Sequence, residues 1–369
     1  MEKIEFKQTK VIKNIKKDSG GGSDGLRNAK TNPNDECYTS MDTILTELYH
    51  YQKHFKNKKI ICPCDWDICE DENVYSIRID FDKNIHLHTN CHLPEVTLFN
   101  FDDKNIQNQR ILQADEIENY LNKKVKCNFV RTLFSLGKEW GIRSITASGY
   151  NPEKQKGISF EDVDFSKYDI CVTNPPFSLY KSFLNKIMTS NIDCILLAPL
   201  INRANPLEGE WIQQKKLFLG FNRNLAINFV NPTPENKFHV KNVAVDWITT
   251  FDDAQKEKDK DIYKTSIKYE MYKEEYSFLN DITMLDGTHP IKVNVNSIPD
   301  DYDGWMFGPI SLLDYAINYK KHEFYITNLK GYFNKIHPEQ RPTINNFRND
   351  MYSVNGSKGF HGILFRRIK

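Results

Sequence analysis

No stretch of the chain runs apolar for the roughly eighteen residues that a membrane-spanning helix requires. The N-terminus, MEKIEFKQTKVIKNIKK, lacks the apolar core of a secretory signal, so the expected location is the cytoplasm, where the eight cysteines should be free thiols. Net charge is nearly absent as well. At +1 over 369 residues, the total says nothing of partners, and any nucleic-acid contact must come from a local basic face. No Walker loop, Ser-His-Asp order or glycosidase-like carboxylate pair stands out, and no internal repeat is visible. Metal spacing is missing too. Cys62, Cys64 and Cys69, then Cys91 and His92 with His86 and His88 nearby, do not form two well-separated pairs. Cys62 and Cys64 lie on an apolar run, where cysteine behaves as a small hydrophobe, so no metal site is expected.

What is present describes a globular chain, with 39% apolar and 27% charged residues and enough length for one large or two modest domains. The 23 Phe and 18 Tyr supply core volume and flat faces for stacking. Residues 1–34 are Lys-rich and then Gly/Ser-rich, the composition of a flexible segment. Ile44, Leu45, Leu48, Tyr49, Tyr51 and Phe55 recur at helical spacing. Lys58 to Cys64 reads as a buried strand ending in Pro-Cys-Asp-Trp-Asp. Residues 68–126 resemble an insertion, with alternating stretches at Tyr75–Phe81 and Ile85–His88 and a helical pattern from Ile106 to Leu121. From 127 onward helices at Phe129–Trp140 (stopped by Gly141) and Leu179–Met188 alternate with strands at Ile142–Ala147, Tyr168–Val172, Cys194–Ala198, Leu225–Val230 and Asn242–Thr249. This rhythm predicts an α/β fold built on a doubly wound, mostly parallel sheet. The charged run from Asp252 to Lys260 reads as a solvated connection. Residues 35–251 are thus expected to form one α/β domain, and 252–369 a smaller, more irregular region.

Asn174-Pro175-Pro176-Phe177 is the most informative tetrapeptide. In isolation it reads as a stiff turn that arises often by chance. Here it follows the apolar strand Asp169–Val172 and precedes an amphipathic helix, and ligands of open α/β sheets sit beyond the carboxyl ends of strands. The exocyclic nitrogen of adenine is a poor nucleophile because its lone pair is delocalised into the ring. The Asn174 side-chain oxygen and the Pro175 carbonyl could accept its two hydrogens and favour a more tetrahedral nitrogen, with proline holding both acceptors in place beforehand. Phe177 could stack on a base that has left the duplex, at roughly 1–3 kcal/mol per base.

These segments together resemble the EcoRI-type adenine-specific DNA methyltransferases. Asp35-Glu36-Cys37-Tyr38-Thr39 with the following helix, Cys62-Pro63-Cys64-Asp65, the stretch from Asn128 to Tyr150, Thr173 to Leu179, Asn242 to Thr250 and Gly308 to Asp314 occur in the family's order. The resemblance implies a Rossmann-like class I methyltransferase fold, S-adenosylmethionine as donor and double-stranded DNA as substrate. It also implies N6-methyladenine as product after base flipping, and a functionally paired restriction endonuclease as a partner. Carried over by residue, it makes Asn174, Pro175, Pro176 and Phe177 catalytic. Asp65 and Asp67 would lie near the cofactor, Tyr38 and Thr39 over its methionine portion, and Ser148 and Tyr150 along its adenosine side, with Asn174 also in contact. The Gly-rich loop common after the first strand of methyltransferases is missing here, which leaves the cofactor contacts open. Arg203, Arg223, Lys237 and Lys241, after the catalytic turn, are candidates for phosphate contact, and residues 252–369 for target recognition. An RNA or protein-glutamine methyltransferase using the same turn, cytosine-N4 methylation, and an inactive DNA-binding module remain the competing readings.

Overall fold

The computed structural model describes residues 39–65, 76–81, 85–90, 114–124, 128–151, 156–199, 206–223, 225–231, 239–258, 267–279, 282–284, 287–315, 317–326, 343–344, 347–348, 351–354, 357–358 and 362–368. The expected flexible segment 1–34, and with it Tyr38, Asp67, Arg203 and Lys237, lies outside them.

A nine-stranded sheet organises the molecule. Its strands are β1 (Lys59–Cys62), β2 (Ser76–Phe81), β3 (Ile85–Asn90), β4 (Ser144–Ser148), β7 (Ile170–Thr173), β8 (Asp193–Pro199), β9 (Phe218–Leu219), β10 (Leu225–Asn231) and β11 (His239–Thr249); β5 (Tyr150–Asn151) and β6 (Lys156–Gly157) pair separately. The order is β10-β11-β8-β7-β1-β4-β2-β3, with β9 beside β11. At the centre β8, β7, β1 and β4 run parallel. Only β2 and β11 oppose the common direction, because each is antiparallel to both of its main-path neighbours. The sheet is therefore mostly parallel, as the rhythm of the sequence predicts.

Helices cover both faces, and the sequence periods explain which. In α4 (Asn128–Trp140) the buried Phe129, Val130, Leu133, Leu136 and Trp140 repeat every three or four residues, forming one apolar stripe. It ends at Gly141, whose φ of +64° is the left-handed conformation that glycine adopts without strain. With α1 (Met41–Leu48), α2 (Gln52–Phe55) and α3 (Ala114–Lys124), it packs on Ile60, Cys62, Ile77, Ile79, Ile145 and Ala147. Ile61, Cys171, Cys194, Leu196 and Ala198 point to the opposite face, under α5 (Tyr180–Ser190) and α6 (Pro206–Gln213). Alternation along each strand sends neighbouring side chains to opposite faces, so both can be apolar.

Two findings modify the reading of the sequence. Part of the 68–126 insertion belongs to the sheet: β2 pairs with β4 from Ser76↔Ser148 to Asp80↔Ser144, and β3 pairs with β2. The charged run after Asp252 is not wholly solvated. It contains α7 (Asp253–Lys258), whose Asp253, Ala254 and Gln255 are buried.

Beyond α7, strands Ile291–Lys292, Met306–Pro309, Gly362–Arg367 and His322–Ile326 form a second sheet in that order. Its residues Ile291, Met306, Phe324, Ile363 and Phe365 join the same apolar cluster as Ile61, Tyr180 and Leu184, so the core is continuous across residue 252. Gln213 at the end of α6 extends this contact. Its Oε1 accepts from Ile326 N at 3.1 Å, and its Nε2 donates to the Phe324 carbonyl.

Candidate active site at the carboxyl rim of the sheet

The carboxyl ends of β1, β4 and β7 meet through hydrogen bonds. Thr173, last residue of β7, donates from Oγ1 to Asp65 Oδ2 at 2.5 Å, and Asp65 N donates to the Ser148 carbonyl at 3.1 Å. Asp65 and Thr173 are both buried. A buried carboxylate persists only where donors offset its lost hydration, and the Thr173 hydroxyl is one such donor. Beside it Cys64 has its thiol pKa pushed up, by burial first and then by the Asp65 charge, while a hydrogen bond with Thr173 pulls the other way. Such a thiol stays protonated at neutral pH and is a poor nucleophile.

The turn Asn174–Phe177 leaves β7 directly from this point. Asn174 is half-buried, with its Oδ1 shielded from solvent. Pro175 is buried, Pro176 half-buried, and the Pro176 carbonyl accepts from Leu179 N at 2.9 Å, closing the turn into α5. Phe177 is 5% exposed and packs in the apolar cluster beneath α1 and α4, so its ring braces the turn from inside. At the start of α5, Tyr180 donates to Glu208 Oε2 at 2.5 Å; burial, then the Glu208 charge, pushes its hydroxyl pKa well up, and it stays a neutral donor.

Thr39 lies immediately before the Ser40 cap of α1, and its carbonyl accepts from Asn128 Nδ2 at 2.7 Å at the start of α4. The Thr39 and Ser148 hydroxyls are buried and make no hydrogen bond among the described residues. Tyr150 stands exposed next to Ser148, in β5. Arg223 is half-buried and donates from Nε to the Gly220 carbonyl at 2.7 Å. Lys241 lies on β11, opposite Phe229 of β10.

The sequence reading missed Glu47. It is fully buried in α1 and accepts from Tyr51 Oη (2.9 Å), Phe221 N (2.9 Å), Asn222 N and Asn222 Nδ2 (both 2.8 Å). This network ties α1 to the loop that carries Arg223. The available signal was an acidic residue on an apolar helical stripe, between Ile44 and Leu48 and four residues before Tyr51. Gly220 is required there, since a Cβ would clash with the Glu47 carboxylate and the Trp247 side chain.

A mostly parallel sheet whose carboxyl rim gathers a buried carboxylate, buried hydroxyls and a proline-stiffened amide turn has the arrangement at which open α/β sheets commonly hold polar ligands. The family model described as adenine-specific methyltransferase EcoRI matches residues 25–368. The chain belongs to that family and is an adenine-specific DNA methyltransferase. Type II methyltransferase M.MgeORF184P of Mycoplasma genitalium is 24% identical over 359 residues, covering 92% of this chain and 97% of the relative. Type II methyltransferase M.EcoRI of Escherichia coli is 24% identical over 308 residues, covering 78% and 84%. No solved structure matches the chain significantly.

Proposed function

We propose that the rim formed by β1, β4 and β7 binds S-adenosylmethionine beside an adenine flipped out of double-stranded DNA, and that Asn174–Phe177 presents the adenine N6 for methylation. The observation that carries this reading is the convergence of Asp65, Ser148 and Thr173 by hydrogen bonds at the point where the Asn174 turn begins. The strand order, with a parallel centre and the antiparallel β11 between β8 and β10, supports a Rossmann-like class I methyltransferase fold.

The residues present fit such a cofactor. Asp65 is buried at the end of β1, and the hydroxyls of Thr39 and Ser148 are buried without a protein hydrogen bond, as groups awaiting a polar ligand would be. These three with Tyr150, and with Tyr38 and Asp67, would hold the donor. S-adenosylmethionine supplies an electrophilic sulfonium methyl group. Asn174 Oδ1 and the Pro175 carbonyl accept the two N6 hydrogens and orient the nitrogen lone pair out of conjugation. The prolines fix these acceptors before the base arrives, so little reorganisation is needed on reaction. Phe177 holds the turn from the core side, so its part is to position the acceptors of Asn174 and Pro175 rather than to stack on the base as the sequence pattern suggested. Arg203, Arg223, Lys237 and Lys241 contact phosphate, residues 252–369 read the target sequence, and a paired restriction endonuclease recognises the same site.

Methyl transfer from labelled S-adenosylmethionine to a random-sequence duplex pool, followed by nucleoside mass spectrometry, tests this directly. N6-methyladenine is expected with the native enzyme, and Asn174→Ala should lower the rate by roughly 10²–10³, the usual effect of removing one preorganised polar contact. Cofactor binding without methylated adenine would overturn the substrate assignment.

A further inference from the structure

The register between β2 and β4 places Ser76 directly opposite Ser148. Side chains two residues apart on a strand share a face, and directly paired residues share it too. Thr146 is opposite both Ile61 and Arg78, and Ile61 is opposite Cys171, so one face carries Arg78, Thr146, Ile61 and Cys171. Two residues toward the carboxyl rim, that same face carries Ser76, Ser148 and Thr173. Polar groups along this strip are mostly satisfied within the protein. Arg78 donates from Nε to Asp80 Oδ1 at 2.9 Å, and Tyr168 is hydrogen-bonded to Thr146. Thr173 donates to Asp65.

The two serines at the rim differ. Ser76 is 0% and Ser148 1% exposed, and neither hydroxyl has a hydrogen-bond partner among the described residues. Buried hydroxyls are usually paired, and two unpartnered ones in direct register at the rim of one strand pair are placed to meet a ligand with two adjacent polar atoms. Dinucleotide-binding sheets commonly hold ribose hydroxyls with an acidic side chain. Here β4, the neighbour of β1, ends in Ser148-Gly149-Tyr150 and provides no carboxylate.

We propose that Ser76 and Ser148 form a two-hydroxyl clamp for the ribose diol of the cofactor, and that the inserted β2–β3 hairpin is there to supply its outer half. This rests on the cofactor reading above. It gives part of the 68–126 insertion a task beside the rim, since β2 brings Ser76 into register with Ser148 at the carboxyl end of β4. A hydroxyl both donates and accepts, so the pair can match either hydroxyl of a diol in either sense.

The test is calorimetric titration of the full chain and Ser76→Ala with S-adenosylhomocysteine and with its 2′-deoxy and 3′-deoxy forms, alongside melting curves without ligand. Ser76→Ala should weaken binding of the parent compound roughly fivefold to tenfold, the ordinary worth of one neutral hydrogen bond. The gap between native and variant should close for whichever deoxy form lacks the clamped hydroxyl. Without ligand the variant should melt at the native temperature or above it, because an unsatisfied buried hydroxyl has been removed. Equal affinity of native protein and variant, or a lower melting temperature of the free variant, would overturn the clamp while leaving the cofactor reading standing. Failure of the native chain to bind S-adenosylhomocysteine or S-adenosylmethionine would overturn both.

Discussion

Thr173 is the residue from which the Asn174–Phe177 turn departs, and its hydroxyl ties the end of β7 to the carboxylate at the end of β1. Thr173→Val keeps the shape and removes one donor from a buried charge. It should cost about 1.5–3 kcal/mol in urea unfolding, the range for hydrogen bonds to charged groups, and should weaken cofactor binding in the same protein. Phe177 belongs to the core as much as to the site. Phe177→Ala should lower stability by roughly 3–5 kcal/mol, so its activity must be read beside a melting curve to separate the two effects. The sequence pattern placed Phe177 at the site and could not place its ring: burial depends on α1 and α4, which arrive from more than thirty residues upstream.

At the scale of elements, α1 acts as a clasp. Glu47 collects donors from Tyr51, in the turn that follows the helix, and from Phe221 and Asn222, which lie 174 and 175 positions further along the chain. Glu47→Ala leaves those amides buried with no acceptor and should cost about 2–4 kcal/mol. Hydrogen exchange at Phe221 and Asn222 should accelerate in the variant, and unchanged protection there would show that the loop is held by other contacts. The helices and central strands from residue 128 to 199 were legible because their periods of 3.6 and 2 are written locally. Gly141 was legible as a stop for the same reason. The partners of Glu47, the pairing of β2 with β4 and the buried side of α7 were not, because each depends on contacts between distant segments. Asp253 shows the difference. It lies in a charged run, yet Lys53 forms an ion pair with it and His54 Nε2 lies 2.7 Å from its Oδ2. Burial alone would raise its pKa, and the hydrogen bonds from Lys53 and His54 reverse the sign, holding the carboxyl below the usual range.

At the largest scale, one apolar cluster spans the large sheet and the second sheet, which predicts a single cooperative unfolding transition for the two sheets together. Scanning calorimetry with matching calorimetric and van't Hoff enthalpies checks this; two resolved transitions would show that the region beyond 252 folds on its own. His322 gives the same unit a dependence on pH. Burial first, then the charges of Arg367 and Lys321, push its pKa from 6.5 down to about 4, against a hydrogen bond with Asn318 that pulls upward. Between these two values the unfolded chain binds the proton and the folded chain does not, so stability falls as the pH drops through that window. The full loss is about 3 kcal/mol. His322→Phe should flatten this part of the profile in denaturant titrations run from pH 7 to pH 4.

Cys62, Cys171 and Cys194 lie buried on adjacent central strands, Cys171 directly opposite Cys194, and burial is the leading cause that raises each thiol pKa. In the folded enzyme they are therefore shielded from alkylating reagents twice, by the loss of the thiolate and by the loss of access. Site-resolved alkylation of these three positions becomes a clock: in excess reagent, the label accumulates at the rate at which the centre of the sheet opens. With the proposed site at the rim, saturating S-adenosylhomocysteine should slow that clock in proportion to its affinity for the folded chain.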